Sequence, residues 1–333
     1  MPFKLPVEIY DEIFRYLEYN ELYSTLTGSR LLKTIATRIL YRDLRFVRPE
    51  QSVLCMHTLA RNDALVLLVK SFGVEWRKLA PTHNLYQLLH TVLRRATRLT
   101  NLFLELPPEH SPTWLLSGTS FKLRQFTTSL LPDNCLSQFL CDQSTIVELS
   151  LHSPEEPMFH LDPSALPHLN HLRTVYMDIP TLRMLVHGRP VESLTLSLIG
   201  GAALPLNVLA HSTRSIRSLS IVSFNLGSLD GIFRAVAHRA PHVERLHIVT
   251  LVADFSYTNL HAAGPALSSL KSLNYLTCMS GRGDDLPVDK ECQLVLAWKK
   301  HCPSLGTVVL PGGNVWYQGK DKSEPKAWVR VPD

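Results

Sequence analysis

One pattern recurs along most of this chain: apolar-x-x-apolar-x-apolar. It stands at Tyr41-Leu44-Phe46, Val69-Phe72-Val74, Leu99-Leu102-Leu104 and Leu123-Phe126-Thr128. It continues at Ile146-Leu149-Leu151, Leu172-Val175-Met177, Val191-Leu194-Leu196 and Ile216-Leu219-Ile221. It closes at Val243-Leu246-Ile248, Leu270-Leu273-Tyr275 and Leu305-Val308-Leu310. The central residues are about 19 to 30 apart, with a last gap of about 35, a period that marks a repeat architecture. The last two apolar positions of each unit lie two apart, as on one face of a strand. Between the strands, residues 85–93, 204–211, 232–238 and 288–298 read as helices. A single strand–helix unit cannot bury its apolar face, whereas stacked units share one core. The expected class is α/β, with a parallel sheet on the concave side, helices or turns outside, and right-handed crossovers.

The repeats are uneven. Thr128 occupies an apolar position, and residues 161–172 are rich in Pro and His, with little room for a helix. Near the end, Val315-Trp316-Tyr317-Gln318 and Ala327-Trp328-Val329-Arg330 flank a polar turn, residues 319–326. They are expected to form a β-hairpin that caps an otherwise open sheet edge.

The first 45 residues are different. Pro6 suits a first helical position, and Ile9, Ile13, Tyr16 and Leu17 recur at steps of three and four, as along a helix. Asn20 is a candidate cap for a second helix bearing Leu22, Tyr23 and Leu26. Ser29 is a candidate cap for a third, with Leu31, Leu32, Ile35, Ala36, Ile39 and Leu40 as its apolar positions. A unit this small buries little surface alone and is expected to pack on its neighbour, on a partner, or on both.

This stretch resembles an F-box. The resemblance rests on Leu5-Pro6, Glu8-Ile9, Ile13-Phe14 with Leu17, Leu22, Leu26, Ser29-Arg30 and Leu40-Tyr41-Arg42; Tyr19-Asn20 departs from the usual Asp-Pro type pairing. The repeats resemble the divergent leucine-rich repeats of F-box/leucine-rich-repeat proteins, a group with large families in fungi. Residues 232–237 and Cys302-Pro303-Ser304-Leu305 add to that likeness. The resemblance implies an F-box over 1–45, a leucine-rich-repeat solenoid over 46–312 and a C-terminal hairpin cap over 313–333. It implies docking to a Skp-type adaptor, and through it to a cullin, by Leu5, Pro6, Ile9, Ile13, Phe14, Leu17, Leu22 and Leu26. The function implied is that of a substrate-recognition subunit of an SCF-type ubiquitin ligase. The alternative is a repeat scaffold with an F-box-like cap and no ligase role.

Alternation along the strands nominates a target-binding face. It includes Asn101, Phe103 and Glu105; Glu148, Ser150 and His152; Thr174, Tyr176 and Asp178; Ser193, Thr195 and Ser197; Ser218 and Ser220; Arg245 and His247; and Asn274. Phe103, Tyr176, Asp178, Arg245 and His247 are the chosen contact candidates, since aromatic and Arg side chains most often anchor interfaces.

No catalytic constellation emerges. Pro311-Gly312-Gly313 to Gly319-Lys320 lacks the order of a phosphate loop. The six cysteines show no C-x-x-C spacing, so neither a zinc site nor a disulfide framework is expected, and no cofactor is. Net charge is +5, with no long basic block, which argues against nucleic acid. The absence of a signal-like or spanning apolar segment argues against a membrane and for a cytoplasmic or nuclear location.

Overall fold

The computed structural model describes residues 6–78, 81–107, 112–152, 160–175, 178–198, 205–224, 227–252, 255–281, 286–319 and 328–331. They form two compact units, one of residues 1–146 and 157–160, the other of 147–156 and 161–333. The class is α/β, and thirteen strands occur among the described residues, most of them pairing in parallel.

The first unit opens with three helices, α1 (Val7–Arg15), α2 (Tyr19–Thr25) and α3 (Arg30–Leu40). The Pro6 carbonyl accepts from the backbone N–H of Ile9 at 3.1 Å, starting α1 where proline's missing donor costs nothing. Asn20 lies inside α2 rather than capping it: Glu18 is the N-cap, and the Glu21 carboxylate accepts from its backbone N–H at 2.8 Å. Ser29 caps α3, accepting from Leu32 N–H at 3.3 Å. Asp11 on α1 receives Arg15 at 2.9 Å and also Arg38 from α3, so one carboxylate ties two helices together.

Strands β1 (Asp43–Phe46), β2 (Ser71–Glu75), β3 (Asn101–Glu105) and β4 (Gln125–Thr128) follow, pairing in parallel and in chain order. Their register aligns Leu44, Phe72, Leu102 and Phe126 in one buried row, as the repeat pattern requires. Thr128 is fully buried in the next row, at the apolar position it occupies by sequence. Helices α4 (Pro49–Arg61), α5 (Asp63–Val66), α6 (His83–Arg95) and α7 (Asn134–Cys141) belong to the same unit, with a 3₁₀ turn over Thr113–Leu116.

The second unit carries β5 (Glu148–His152), β6 (His171–Val175), β7 (Ser193–Leu198), β8 (Ser218–Ser223), β9 (Arg245–Thr250), β10 (Tyr275–Ser280) and β11 (Thr307–Val309), again parallel and in order. Helices α8 (Ile179–Val186), α9 (Leu229–Arg239), α10 (Tyr257–Ala263) and α11 (Val288–His301) connect them. Of residues 204–211, expected as helix, 206–211 form a 3₁₀ helix after Pro205 and 204 lies outside the described residues; Gly264–Ser269 forms another 3₁₀ helix. A 3₁₀ helix rises about 2.0 Å per residue, which lets a short connection reach the next strand. The core row here is Leu149, Leu172, Leu194, Leu219, Leu246, Leu276 and Val308. Burying one such leucine is worth roughly 1.5–3 kcal/mol.

Two repeats differ from their sequence reading by register. At β6 the buried residues are Leu169, Leu172 and Thr174, not Leu172, Val175 and Met177; Thr174 is therefore core, and Arg173 stands on the open face. At β10 they are Leu273, Leu276 and Cys278, which moves Tyr275 onto the open face and Asn274 off it, to the position before the strand. Val175 and Tyr275 are apolar residues on the uncovered side, so either register satisfies an apolar count.

The connection into β6 has no helix over residues 160–170. A guanidinium takes the place of one. Arg189, only 1% exposed, donates from Nε to the Ala165 carbonyl at 2.8 Å and from Nη2 to that of Asp162 at 2.8 Å. Its Nη1 serves the carbonyls of Met184 and His187. Leu166 within this segment has φ of 57°, a left-handed conformation that costs about 1–2 kcal/mol for a residue with a Cβ.

The parallel order ends at β12 (Val315–Gln318), which pairs antiparallel with β11 and with β13 (Trp328–Arg330). Glu291 of α11, 1% exposed, accepts from Trp316 Nε1 at 3.0 Å and Asn314 Nδ2 at 2.8 Å, with Arg330 Nε at 3.6 Å. Residues 319–326 of the expected turn lie outside the described residues except Gly319.

Candidate interaction surfaces

The helical surface of the first unit follows from the step of about 100° per residue along α1. Tyr10, Phe14 and Leu17 form an inward stripe against Leu22, Leu26, Ile35, Ala36 and Leu40. One residue earlier on each turn, Ile9, Ile13 and Tyr16 form an outward stripe, 45%, 46% and 82% exposed. On α2, Tyr19 and Tyr23 are likewise exposed, one turn apart. The residues nominated for adaptor contact therefore divide. Phe14 and Leu22 are buried in the cluster, Leu17 and Leu26 are packed against it, and Pro6, Ile9 and Ile13 face outward. Leu5 lies outside the described residues. Tyr19 and Tyr23 were not among the nominated residues, although they are one turn apart in a helix that exposes little else apolar. Burial pushes the nearby Cys55 thiol up, so it is a poor nucleophile.

The open face of the strands offers a second kind of surface. In the first unit Phe103 is half-buried, and the Arg45 guanidinium lies 4.4 Å from its ring centroid. Gly73 stands between them in the register, and a Cβ there would come within 3.3 Å of Phe103 Cβ. The bare backbone is what lets the cation reach across. Arg45 also pairs with Glu75 at 3.5 Å, so both the ring and the charge are already engaged.

In the second unit, each strand presents its first, third and fifth residues on this face. The first row runs Glu148, His171, Ser193, Ser218, Arg245, Tyr275; the third runs Ser150, Arg173, Thr195, Ser220, His247, Thr277. His247 is half-buried, stacks on Tyr275 at 5.1 Å between centroids, and meets Thr277 Oγ1 through Nδ1 at 3.1 Å. Burial, then the charge of Arg245, lower its pKa below the ordinary value, so the ring is neutral at pH 7. Arg245 is exposed, with no hydrogen bond or ion pair to its side chain among the described residues. Arg173 is in the same state; the sequence reading passed it over because of the register at β6.

Asp178 has another task. It is the N-cap of α8, accepting from Thr181 N–H at 3.3 Å, while its Oδ1 is buried and unpartnered among the described residues. Tyr176 lies outside the described residues. Arg245 and His247 are thus the nominated residues that the structure brings together.

No group of three or more His, Cys, Asp or Glu side chains among the described residues is placed to hold a metal ion, and no described helix is long and apolar enough to cross a membrane. No protein-family model matches the chain, and no curated protein matches it.

Proposed function

We propose that the chain is the substrate-recognition subunit of an SCF-type (Skp–cullin–F-box) E3 ubiquitin ligase. In this reading the three N-terminal helices are an F-box that docks a Skp-type adaptor and, through it, a cullin. The strand–helix units are a leucine-rich-repeat solenoid whose open face receives a protein target. No catalytic step belongs to the chain itself. It acts by holding the target near a charged ubiquitin-conjugating enzyme, which raises the effective concentration of the target lysine.

The observation that carries the reading is the outward stripe of Ile9, Ile13 and Tyr16, beside exposed Tyr19 and Tyr23. These residues are left over after Phe14, Leu22, Ile35, Ala36 and Leu40 have filled the cluster's own core. Exposed apolar groups concentrated on one small element mark an interaction site, since covering them gains roughly 25 cal/mol per Å².

Co-purification with a Skp-type adaptor tests this, comparing wild type with Ile9→Asp/Ile13→Asp. Both side chains are about half exposed, so the double variant is expected to keep its fold, checked by an unchanged urea-unfolding midpoint. A stoichiometric complex with wild type and none with the variant is the expected result. Equal capture of both, or of neither, defeats the ligase reading and favours a repeat scaffold whose first helices are only a cap.

A further inference from the structure

Resting on the reading that the open face of the second unit receives a target, we infer the target's chemistry. The face over β6 to β10 is built for a protein segment that is acidic along one edge and apolar along the other.

Three observations converge. First, Arg173 on β6 and Arg245 on β9 are exposed and without a side-chain partner among the described residues. Arg214, Arg217 and Arg234 of this unit are neutralised, by Glu192 at 2.6 Å, Glu244 at 2.5 Å and Asp230 at 3.1 Å. Arg183 and Arg239, which also lack a side-chain partner among the described residues, are on helices rather than on this face. From β6 to β10 the first, third and fifth rows contain no carboxylate; Glu148 stands in the first row on β5, and Glu192 and Glu244, one residue before the first row, are paired with Arg214 and Arg217. A guanidinium fork matches a carboxylate with two parallel hydrogen bonds.

Second, the two arginines are held apart by a low floor. Between them lie β7 and β8, whose Ser193, Thr195, Ser218 and Ser220 are short and half-buried, with hydroxyls unpartnered among the described residues. Three interstrand steps separate β6 from β9, about 14 Å. An extended segment crossing that floor places side chains four to five residues apart over the two cations, at about 3.3 Å per residue.

Third, the same face turns apolar toward the carboxyl ends of the strands. Val222 and Val249 occupy the fifth row with Met279, and Phe224 and Leu251 follow at the strand ends; Met279, Phe224 and Leu251 are 37%, 40% and 45% exposed. A charged edge and an apolar edge run side by side across adjacent strands. Charge complementarity selects an acidic partner, and the apolar edge gives it an anchor.

The test uses the full chain, immobilised and probed with a displayed library of random twelve-residue peptides. Wild type is expected to enrich peptides that combine Asp or Glu with large apolar residues, and to release them at high salt. An Arg173→Glu/Arg245→Glu variant is expected to bind the selected peptides about tenfold or more weakly. A Phe224→Glu/Met279→Glu variant is expected to lose those same peptides. The substituted residues are exposed, and an unchanged urea-unfolding midpoint for each variant reports that the second unit is still folded. No enrichment, enrichment without acidic bias, or binding that survives charge reversal overturns the proposal. So does retention of the peptides by the Phe224→Glu/Met279→Glu variant. Competition by single-stranded oligouridylate as strong as by the peptide also overturns it, because the arginines would then serve a nucleic acid. Adaptor capture by wild type without acidic-apolar peptide enrichment defeats this inference alone, whereas peptide enrichment by wild type without adaptor capture defeats the ligase reading alone.

Discussion

The N-terminal helices and the open face over β6 to β10 invert each other's chemistry. On the helices Asp11 holds both Arg15 and Arg38, and the outward stripe of α1 at Ile9, Ile13 and Tyr16 is apolar or aromatic. On the sheet, Arg173 and Arg245 have no side-chain partner among the described residues and stand beside a polar floor, with Val222, Val249 and Met279 toward the carboxyl ends of the strands and Tyr275 beside Arg245 in the first row. An apolar stripe supplies affinity with little selectivity. Unpaired cations at fixed spacing supply selectivity, because a partner lacking matching anions leaves them unmet. The difference is what a protein needs if one side meets the same partner each time and the other must choose.

The sharpest way to break this comparison is to show that α1 does not have two distinct stripes. Phe14→Ala is expected to destabilise the protein by about 3–5 kcal/mol in urea unfolding, the usual cost of emptying a packed aromatic site. Ile13→Asp, one residue away, is expected to stay within about 0.5 kcal/mol of wild type while abolishing adaptor capture. Comparable destabilisation by both would mean that the outward stripe is covered by the chain itself.

Arg189→Met gives the next largest effect. It leaves the carbonyls of Asp162, Ala165 and Met184 without their donor, and a loss of about 3 kcal/mol is expected by the same measurement. Exposed Arg173 serves as the control. Arg173→Met is expected to change stability by less than about 0.5 kcal/mol, so the two arginines separate a buried structural cation from an exposed one.

The smallest effect concerns His247. Nuclear magnetic resonance titration is expected to place its pKa below 6.5, with a partial rise in Arg245→Ala, because burial contributes more than Arg245 does. A base whose folded pKa is depressed binds its proton later than the unfolded chain does. Its contribution to stability is therefore complete above about pH 6.5 and is lost as pH falls through the lower folded value. A His247 pKa at or above 6.5 would mean that the face carries more negative charge than described.

Much of the fold was legible because a period of two needs only one well-placed leucine to set a register. Leu102, Leu194, Leu219 and Leu246 fall where the pattern puts them. The slips at β6 and β10 occurred where Val175 and Tyr275 make the uncovered face look apolar, and Thr174 makes the covered face look polar. The surfaces were less legible. Exposure on α1 is decided by which adjoining stripe α3 takes, and both stripes are apolar in sequence. Asp178 resembles a surface charge until its place one residue before Ile179-Pro180 is read as a cap. Arg189 gives no sequence signal, since its partners are main-chain carbonyls up to 27 residues away.

That buried guanidinium also bears on how such a chain can change length. The strand ladder fixes the spacing of repeats, whereas the backing behind it is built from α-helix, from 3₁₀ turn, or from carbonyls gathered on one cation. Arg189 works as mortar where no brick fits. Insertions or deletions that leave the carbonyls of Asp162 and Ala165 within its reach are expected to be absorbed inside one repeat, with neighbouring rows keeping their alignment. The scaffold can thus vary in local size without rewriting the face it presents.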